Sequence, residues 1–189
     1  MTLPRCTHAP QGAAAVAAAR LRAALPRLRT DRLDLRAPET RDFPAWARIM
    51  ASPDSRYMGG PVPAEEAWSD FCGYVAGWLL HGHGLWAVER RADATLLGFV
   101  HLGLEWDDFD PELGWLFLPE ARGQGYATEA ARAARDHAIT LVGPGTAVSY
   151  IDPENATSIA VAERIGGHPD PDAPRGDAAD LVYRHGVRP

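Results

Sequence analysis

The feature that most constrains the fold is a strand, turn and helix between residues 111 and 141. Residues 111–118 form a run apolar enough to be a buried central strand, and Pro119 ends it. After two closely spaced glycines, alanines recur at helical spacing from Ala127 and predict one apolar helix face that ends near Leu141. Such small residues allow a helix to lie close to a sheet. The pattern therefore predicts a layered α/β protein.

The remaining elements fit this architecture. A short helix is expected from Phe43 to Met50, and a second helix should bury one stripe of apolar residues at helical spacing. The order strand, helix, strand after residue 111 predicts a right-handed parallel unit, and residues 169–174 should form an irregular edge. The stripe of the second helix is Trp68, Phe71, Cys72, Val75 and Leu79, and a late helix is expected over 158–165, ending at Gly166-Gly167. The other expected strands are 28–37, 146–151, 181–185 and a hairpin formed by 85–89 and 96–104.

The chain of 189 residues is long enough for one core and short for two domains. We expect a single domain over 28–189, preceded by an N-terminal extension, residues 1–27, that is either frayed or docked as a helix. Its Ala-rich segment is interrupted by Arg20 and Arg22, which does not fit a secretory signal, and no later run has the length of a membrane span. We therefore expect a cytoplasmic protein without membrane association.

Charge and cysteine content exclude several classes. The formal net charge of −6 argues against a nucleic-acid partner, because such binding needs clustered Lys and Arg. A cationic or neutral substrate fits better. Cys6 and Cys72 form no CxxC pair, and His81 and His83 lack a third ligand nearby. No metal site is expected.

The turn 122–127, Arg-Gly-Gln-Gly-Tyr-Ala, has a specific physical use. Small residues at a helix N-terminus let backbone N–H groups reach an anion, and the helix dipole adds about half a positive charge, so a diphosphate can bind there. Arg122 adds a side-chain charge. The alternative is an ordinary tight turn, which a lone pair of glycines would favour. The segment lacks the third small residue of GxGxxG and does not match GxxxxGK followed by Ser or Thr.

With these residues in view, Arg122-x-x-Gly125-x-Ala127 resembles the acetyl-CoA signature of the GNAT superfamily of N-acetyltransferases. Three further segments resemble the RimJ/RimL-type branch: the opening strand 28–36, the central Glu112-Leu113-Gly114-Trp115, and the late helix 155–166. The resemblance implies a mixed, mostly antiparallel sheet with a parallel central pair, flanked by helices. It also implies acetyl-CoA as co-substrate, contacted by Phe117, Leu118, Arg122, Gly123, Gln124, Gly125, Tyr126, Ala127, Thr128, Asn155 and Ser158.

The implied reaction is direct attack of a primary amine on the thioester in a ternary complex. The acceptor is a small molecule or a protein N-terminus, with a cationic one favoured, and the protein is a monomer or homodimer. Where many relatives have a tyrosine that protonates the leaving thiolate, this chain has Ala162, and Gly167 replaces a usual aromatic. An alternative is thus a non-catalytic acyl-CoA-binding or regulatory module on the same fold.

Three residues are candidates for proton transfer. An ammonium must lose its proton before it attacks, and Glu112, placed beside the thioester by the resemblance, would gain a useful pKa from burial. A solvated glutamate at the strand end is the alternative. Ser158 or Tyr150 could protonate the leaving sulfur, and Asn155 is either a ligand contact or a helix N-cap. The acidic connector 105–110 could attract cations at the cleft or face solvent only.

Overall fold

The computed structural model describes residues 4–186, and its centre is the predicted parallel unit. Within these residues one sheet has the order β1-β2-β3-β4-β5-β6-β8-β7. Neighbouring strands are antiparallel except β5 and β6, which are parallel. This confirms the expected fold class. The strands are β1 (Leu28–Arg29), β2 (Leu33–Arg36), β3 (Leu85–Arg90), β4 (Thr95–Gly103), β5 (Glu112–Phe117), β6 (Val148–Ile151), β7 (His168–Pro169) and β8 (Leu181–Arg184).

Helices cover both faces of this sheet. The helices are α1 (Gly12–Ala23), α2 (Phe43–Met50), α3 (Ala64–Leu80), α4 (Tyr126–Val142) and α5 (Ala156–Arg164). The alanine face of α4 packs on one side, against Leu113 and Phe117 of β5. α2 and α3 pack on the other side, where Leu116 joins their cluster. Because side chains alternate along a strand, Glu112 and Gly114 also point towards α2 and α3.

Two predicted elements differ from the structure. The first strand is split, because the chain turns at Thr30, whose backbone N–H donates to the Leu33 carbonyl at 3.0 Å, and β1 then pairs antiparallel with β2. The buried stripe of α3 is also rotated from the predicted one: Cys72 is exposed and Leu79 is 80% exposed, whereas Trp78 is buried. Both stripes have helical spacing, and the hydrogen bond from Trp78 Nε1 to the Leu85 carbonyl (2.9 Å) favours the observed one.

The N-terminal segment forms a helix that contributes little to the core. None of the twelve residues of α1 is buried. Behind it the chain is attached to the sheet, since the Pro26 carbonyl accepts a hydrogen bond from Trp86 Nε1 at 2.9 Å. The division into an extension and a domain stays a prediction. Over residues 4–186, every helix falls short of the length and apolarity that crossing a membrane would require.

Candidate active site

β5 and β6 part soon after they begin. Among the described residues they share one registered pair, Glu112 with Val148. One residue further along, a side-chain hydrogen bond joins the two strands in place of a backbone hydrogen bond. The Ser149 hydroxyl donates to the Leu113 carbonyl at 2.5 Å and lies 2.9 Å from Nε2 of the buried His185. Gly167 leaves the space for this imidazole, because a Cβ there would lie 2.9 Å from His185 Cε1. Backbone pairing between β5 and β6 is therefore confined to the amino ends of the two strands among the described residues.

An open cleft of about 1410 Å³ begins at this gap. Seven of the predicted site residues line it: Glu112, Phe117, Arg122, Ala127, Tyr150, Asn155 and Ser158. Leu118 and Tyr126 are instead buried in the core, so any contact with a cofactor would come from their backbone. Gly123, Gln124, Gly125 and Thr128 lie at the start of α4, outside the side-chain lining of the cleft.

The turn before α4 has the geometry of an anion-binding loop. Gly123 and Gly125 have φ of 72° and 78°, a left-handed conformation that favours glycine. The first amide groups of α4 have no intrahelical acceptors, as at any helix start. The positive charge that Arg122 was expected to add is already paired. Its Nε donates to the Phe117 carbonyl at 3.1 Å, and its guanidinium forms an ion pair with Asp54. The backbone is therefore the main donor in this loop.

Glu112 lies where a carboxyl group is hard to ionise. The side chain is half-buried, and burial together with the neighbouring carboxylates Asp108 and Glu105 raises its pKa from 4.5 to about 8. Asp180, from the C-terminal segment, acts in the same direction. A backbone N–H of Tyr150 offsets part of this increase. Such a pKa suits a group that exchanges a proton near neutral pH.

Two side chains near Glu112 were missed by the sequence analysis. Tyr74, on α3, donates a hydrogen bond to Glu105, and burial with the adjacent carboxylates, Glu112 included, raises its pKa well above the usual value. His101, on β4, is 4% exposed and packs against the Tyr74 ring with centroids 4.5 Å apart. Tyr74 has helical spacing with Phe71 and Trp78, which could have placed it on the inner face of α3. β4 is buried on both faces from Leu97 onwards, so no polar–apolar alternation in the sequence marks His101 as a residue of the site.

Within the described part of the chain, the carboxyl groups nearest Glu112 form no ion pair with an arginine, although Arg175 partly offsets the raised pKa of Asp180. Four carboxyl groups have a raised pKa, with burial as the largest cause, and all four line the cleft: Asp70, Asp108, Glu112 and Asp180. Carboxyl groups with an arginine partner have a lowered pKa instead, as in Asp34, Asp93, Glu120 and Asp170. In the connector, Asp110 pairs with Arg184. The raised pKa values therefore belong to carboxyl groups that line the cleft and lack an arginine partner among the described residues.

At the other wall, the start of α5 presents polar groups to the cleft. Oδ1 of Asn155 accepts a hydrogen bond from the Ser158 amide at 3.2 Å, which is the N-cap that the sequence offered as one of two roles. Tyr150 Oη accepts from the Asp110 amide at 3.2 Å, and burial raises its pKa. Its hydroxyl proton remains in place at neutral pH. Over residues 4–186, no group of three or more His, Cys, Asp or Glu side chains could hold a metal ion.

Comparison with known proteins identifies the family. Residues 32–168, well over half of the chain, match the model of the acetyltransferase (GNAT) domain. The chain belongs to the GNAT acetyltransferase family. It is an N-acetyltransferase, which favours the enzyme over the non-catalytic module.

Individual relatives agree with this family. YkkB of Bacillus subtilis (strain 168) is 32% identical over 147 residues, which cover 75% of this chain and 85% of YkkB. The crystal structure of an acetyltransferase from Agrobacterium tumefaciens str. C58 is 44% identical, with a TM-score of 0.81, and the match covers 86% of this chain and 95% of that one. A spermidine N-acetyltransferase from Vibrio cholerae, in complex with CoA and spermine, shares the fold at 18% identity and a TM-score of 0.62 over 82% and 94% of the two chains.

Proposed function

We propose that this acetyltransferase is a cytoplasmic enzyme of the RimJ/RimL-type branch that transfers the acetyl group of acetyl-CoA to a primary amine of a cationic acceptor. The observation that carries the acceptor class is the set of carboxyl groups around Glu112 whose pKa is raised rather than lowered. Each of them would be stabilised as a carboxylate by a bound ammonium group. A small-molecule amine and a protein N-terminus with basic neighbours both fit this description.

The cofactor half of the site rests on the parted strands and the loop before α4. In this proposal the pyrophosphate binds the N–H groups of residues 123–128, where the helix dipole favours an anion. The pantetheine arm then follows the gap between β5 and β6, past Phe117 and Ala127 towards Glu112, with Asn155 and Ser158 on the opposite wall. Arg122 contributes once its ion pair with Asp54 gives way to phosphate.

Glu112 is the general base of this proposal. An alkylammonium has a pKa near 10.4, so a base with a pKa of about 8 can accept its proton at a modest free-energy cost. The arriving cation lowers the pKa of Glu112 and favours the carboxylate form. Substrate binding and base activation are thereby linked.

The chemical step then needs only these side chains and the two substrates. The ammonium loses one proton to Glu112, its nitrogen attacks the thioester carbon, and a C–N bond forms as the C–S bond breaks. Glu112 returns its proton to solvent after the products leave. The nitrogen gives its second proton to the acid that protonates the thiolate, so this acid is restored when the thiolate takes up a proton and leaves as coenzyme A. Tyr150 can supply it, since its oxygen accepts from the Asp110 amide and retains its own proton. Ser158 is the other candidate acid.

An acceptor panel with matched chain lengths tests this function. Putrescine, butylamine and 4-aminobutyrate present a cation, a methyl group and an anion at the far end of a similar chain, and thiol release from acetyl-CoA reports turnover. We expect putrescine to have the highest kcat/KM, with a decrease as ionic strength rises. Spermine serves as a longer cation, since the same fold holds CoA and spermine in the Vibrio cholerae enzyme.

A charge variant ties that preference to the site. Asp108→Asn with Asp180→Asn should raise the KM for putrescine roughly fivefold, which corresponds to about 1 kcal/mol for two partly exposed charges, and leave the KM for acetyl-CoA unchanged. Asp31→Asn is the control, because Asp31 is exposed and lies outside the cleft lining. Equal use of the three amines, or equal effects of both variants, contradicts a cationic acceptor. Binding of coenzyme A without turnover on any amine contradicts the enzyme.

A further inference from the structure

The inference concerns His101 and rests on the proposed function of Glu112. On β4 and β5 the cross-strand pairs are His101 with Gly114 and Gly103 with Glu112. Opposite residues of paired strands share a face, so His101 is the diagonal neighbour of Glu112 on the side of α3. Diagonal neighbours have Cβ atoms about 7 Å apart, which leaves room for one water molecule between an imidazole and a carboxylate.

Two glycines make space for this imidazole. A Cβ on Gly114 would lie 2.0 Å from His101 Nε2, so the ring lies directly over Gly114. A Cβ on Gly103 would lie 3.2 Å from His101 Nδ1 and 3.2 Å from a ring carbon of Tyr74. Nδ1 is therefore enclosed between β4 and α3, whereas Nε2 lies on the side of β5 and the cleft that His101 helps to line.

Within residues 4–186, the imidazole of His101 has no hydrogen-bond partner. Nδ1 is buried without a partner, and Nε2 forms no hydrogen bond to any of these residues either. A buried imidazole nitrogen without a hydrogen-bond partner costs on the order of 1–3 kcal/mol of stability, unless a ligand or a water molecule supplies that partner. An enclosed N–H without an acceptor is rarer than an enclosed lone pair, so the proton belongs on Nε2. Burial lowers the pKa of His101 to about 4, which keeps the ring neutral.

We propose that His101 is a positioning residue, whose Nε2–H donates a hydrogen bond to the water through which Glu112 takes the proton of the acceptor ammonium. The water accepts a proton from the ammonium and passes one of its own to the carboxylate, which leaves the lone pair on the amine nitrogen. The imidazole itself neither gains nor loses a proton. Its hydrogen bond stabilises the charged form of this relay and thus the carboxylate of Glu112.

Two variants separate this role from packing. His101→Leu removes the donor at similar volume, and His101→Gln restores an N–H. We expect His101→Leu to lower kcat roughly ten- to a hundredfold with an unchanged KM for acetyl-CoA, and to raise the base pKa in the kcat/KM profile. His101→Gln should recover most of both. His137→Leu is the matched control, since His137 also has a buried unpartnered nitrogen but lies outside the cleft lining.

A measurement without turnover distinguishes this inference from the proposed function. In NMR of the free protein, we expect the Nε2–H tautomer of His101 and, in His101→Leu, a Glu112 pKa that is higher by about half a unit. The other groups that face Glu112 are unchanged in that variant: Glu105, Asp108, Asp180, Tyr74 and the Tyr150 amide. An Nδ1–H tautomer, an unchanged Glu112 pKa, or His101→Leu activity within threefold of wild type overturns the role of His101. Absence of acetyl transfer by the wild type overturns only the function.

Discussion

Replacing Glu112 with glutamine should make the protein slower and, at alkaline pH, more stable. With a pKa of about 8, about a tenth of Glu112 is ionised at pH 7 in the free enzyme, and most of it at pH 9. Loss of a general base costs about a hundred- to ten-thousandfold in rate. We therefore expect kcat/KM of Glu112→Gln to be about a hundredfold below wild type at pH 7, and about a thousandfold below at pH 9.

The stability effect has a definite sign. The pKa of Glu112 is raised in the folded state above its ordinary value of 4.5, so its contribution is fully present below pH 4.5 and is lost as pH rises through 8. This difference corresponds to at most about 4.8 kcal/mol at full burial. Because the carboxyl group is half-buried and opens on the cleft, we expect about 2 kcal/mol. Glutamine carries no such pH dependence.

Urea denaturation at pH 5.5 and pH 9 measures this directly. The free energy of unfolding of wild type, relative to that of Glu112→Gln, should decrease from pH 5.5 to pH 9. Glu163→Gln, on the exposed face of α5, should behave like wild type at both pH values. Thiol release across pH 6 to 9 gives the rates. A constant difference in stability, or a variant within threefold of wild type at every pH, would refute the argument that Glu112 is a desolvated base.

Substitutions at two glycines, Gly125 and Gly73, test the cofactor loop and the acceptor side. Gly125→Asp should abolish the rise in melting temperature that coenzyme A causes, which corresponds to about 2.7 kcal/mol of stabilisation at a hundredfold excess over Kd. Gly125→Asn, which has the shape of Gly125→Asp without its charge and also tolerates φ of 78°, should retain most of this rise. Equal loss in both variants would point to backbone strain instead of charge. Gly73 lies at a helical position that lines the cleft, and a Cβ there would have no atom within 4 Å. Gly73→Ala should therefore raise the free energy of unfolding by about 0.5–1 kcal/mol, and Gly73→Phe should raise the KM of the acceptor but not that of acetyl-CoA. An unchanged acceptor KM would place the amine elsewhere.

Local patterns in the sequence were enough for the layout of the fold. The apolar run at Leu113–Leu118 and the alanine face of the following helix identified β5 and α4, because hydrophobic periodicity depends only on neighbours along the chain. The glycines at 123 and 125 located the loop before α4, since a left-handed turn requires them. The direction of the β5–β6 pair followed from the intervening helix. Glu112 was selected for its place at the start of the central strand.

What the sequence could not supply depends on residues distant in the chain that meet only after folding. Leu79 was expected inside because two stripes of α3 have helical spacing, and only the packing of Trp78 on β3 decides between them.

By itself, the sequence determined the order of elements, the α/β class and the glycine turn before α4, since each depends on short stretches of consecutive residues. The tertiary structure alone decided the chemistry of the cleft. It brings Asp70 and Asp180, 110 positions apart, to the same cleft as Glu112, and sets His101 over Gly114 across a strand pair. A pKa depends on burial and on charges within a few ångströms, and neither quantity exists before the chain has folded.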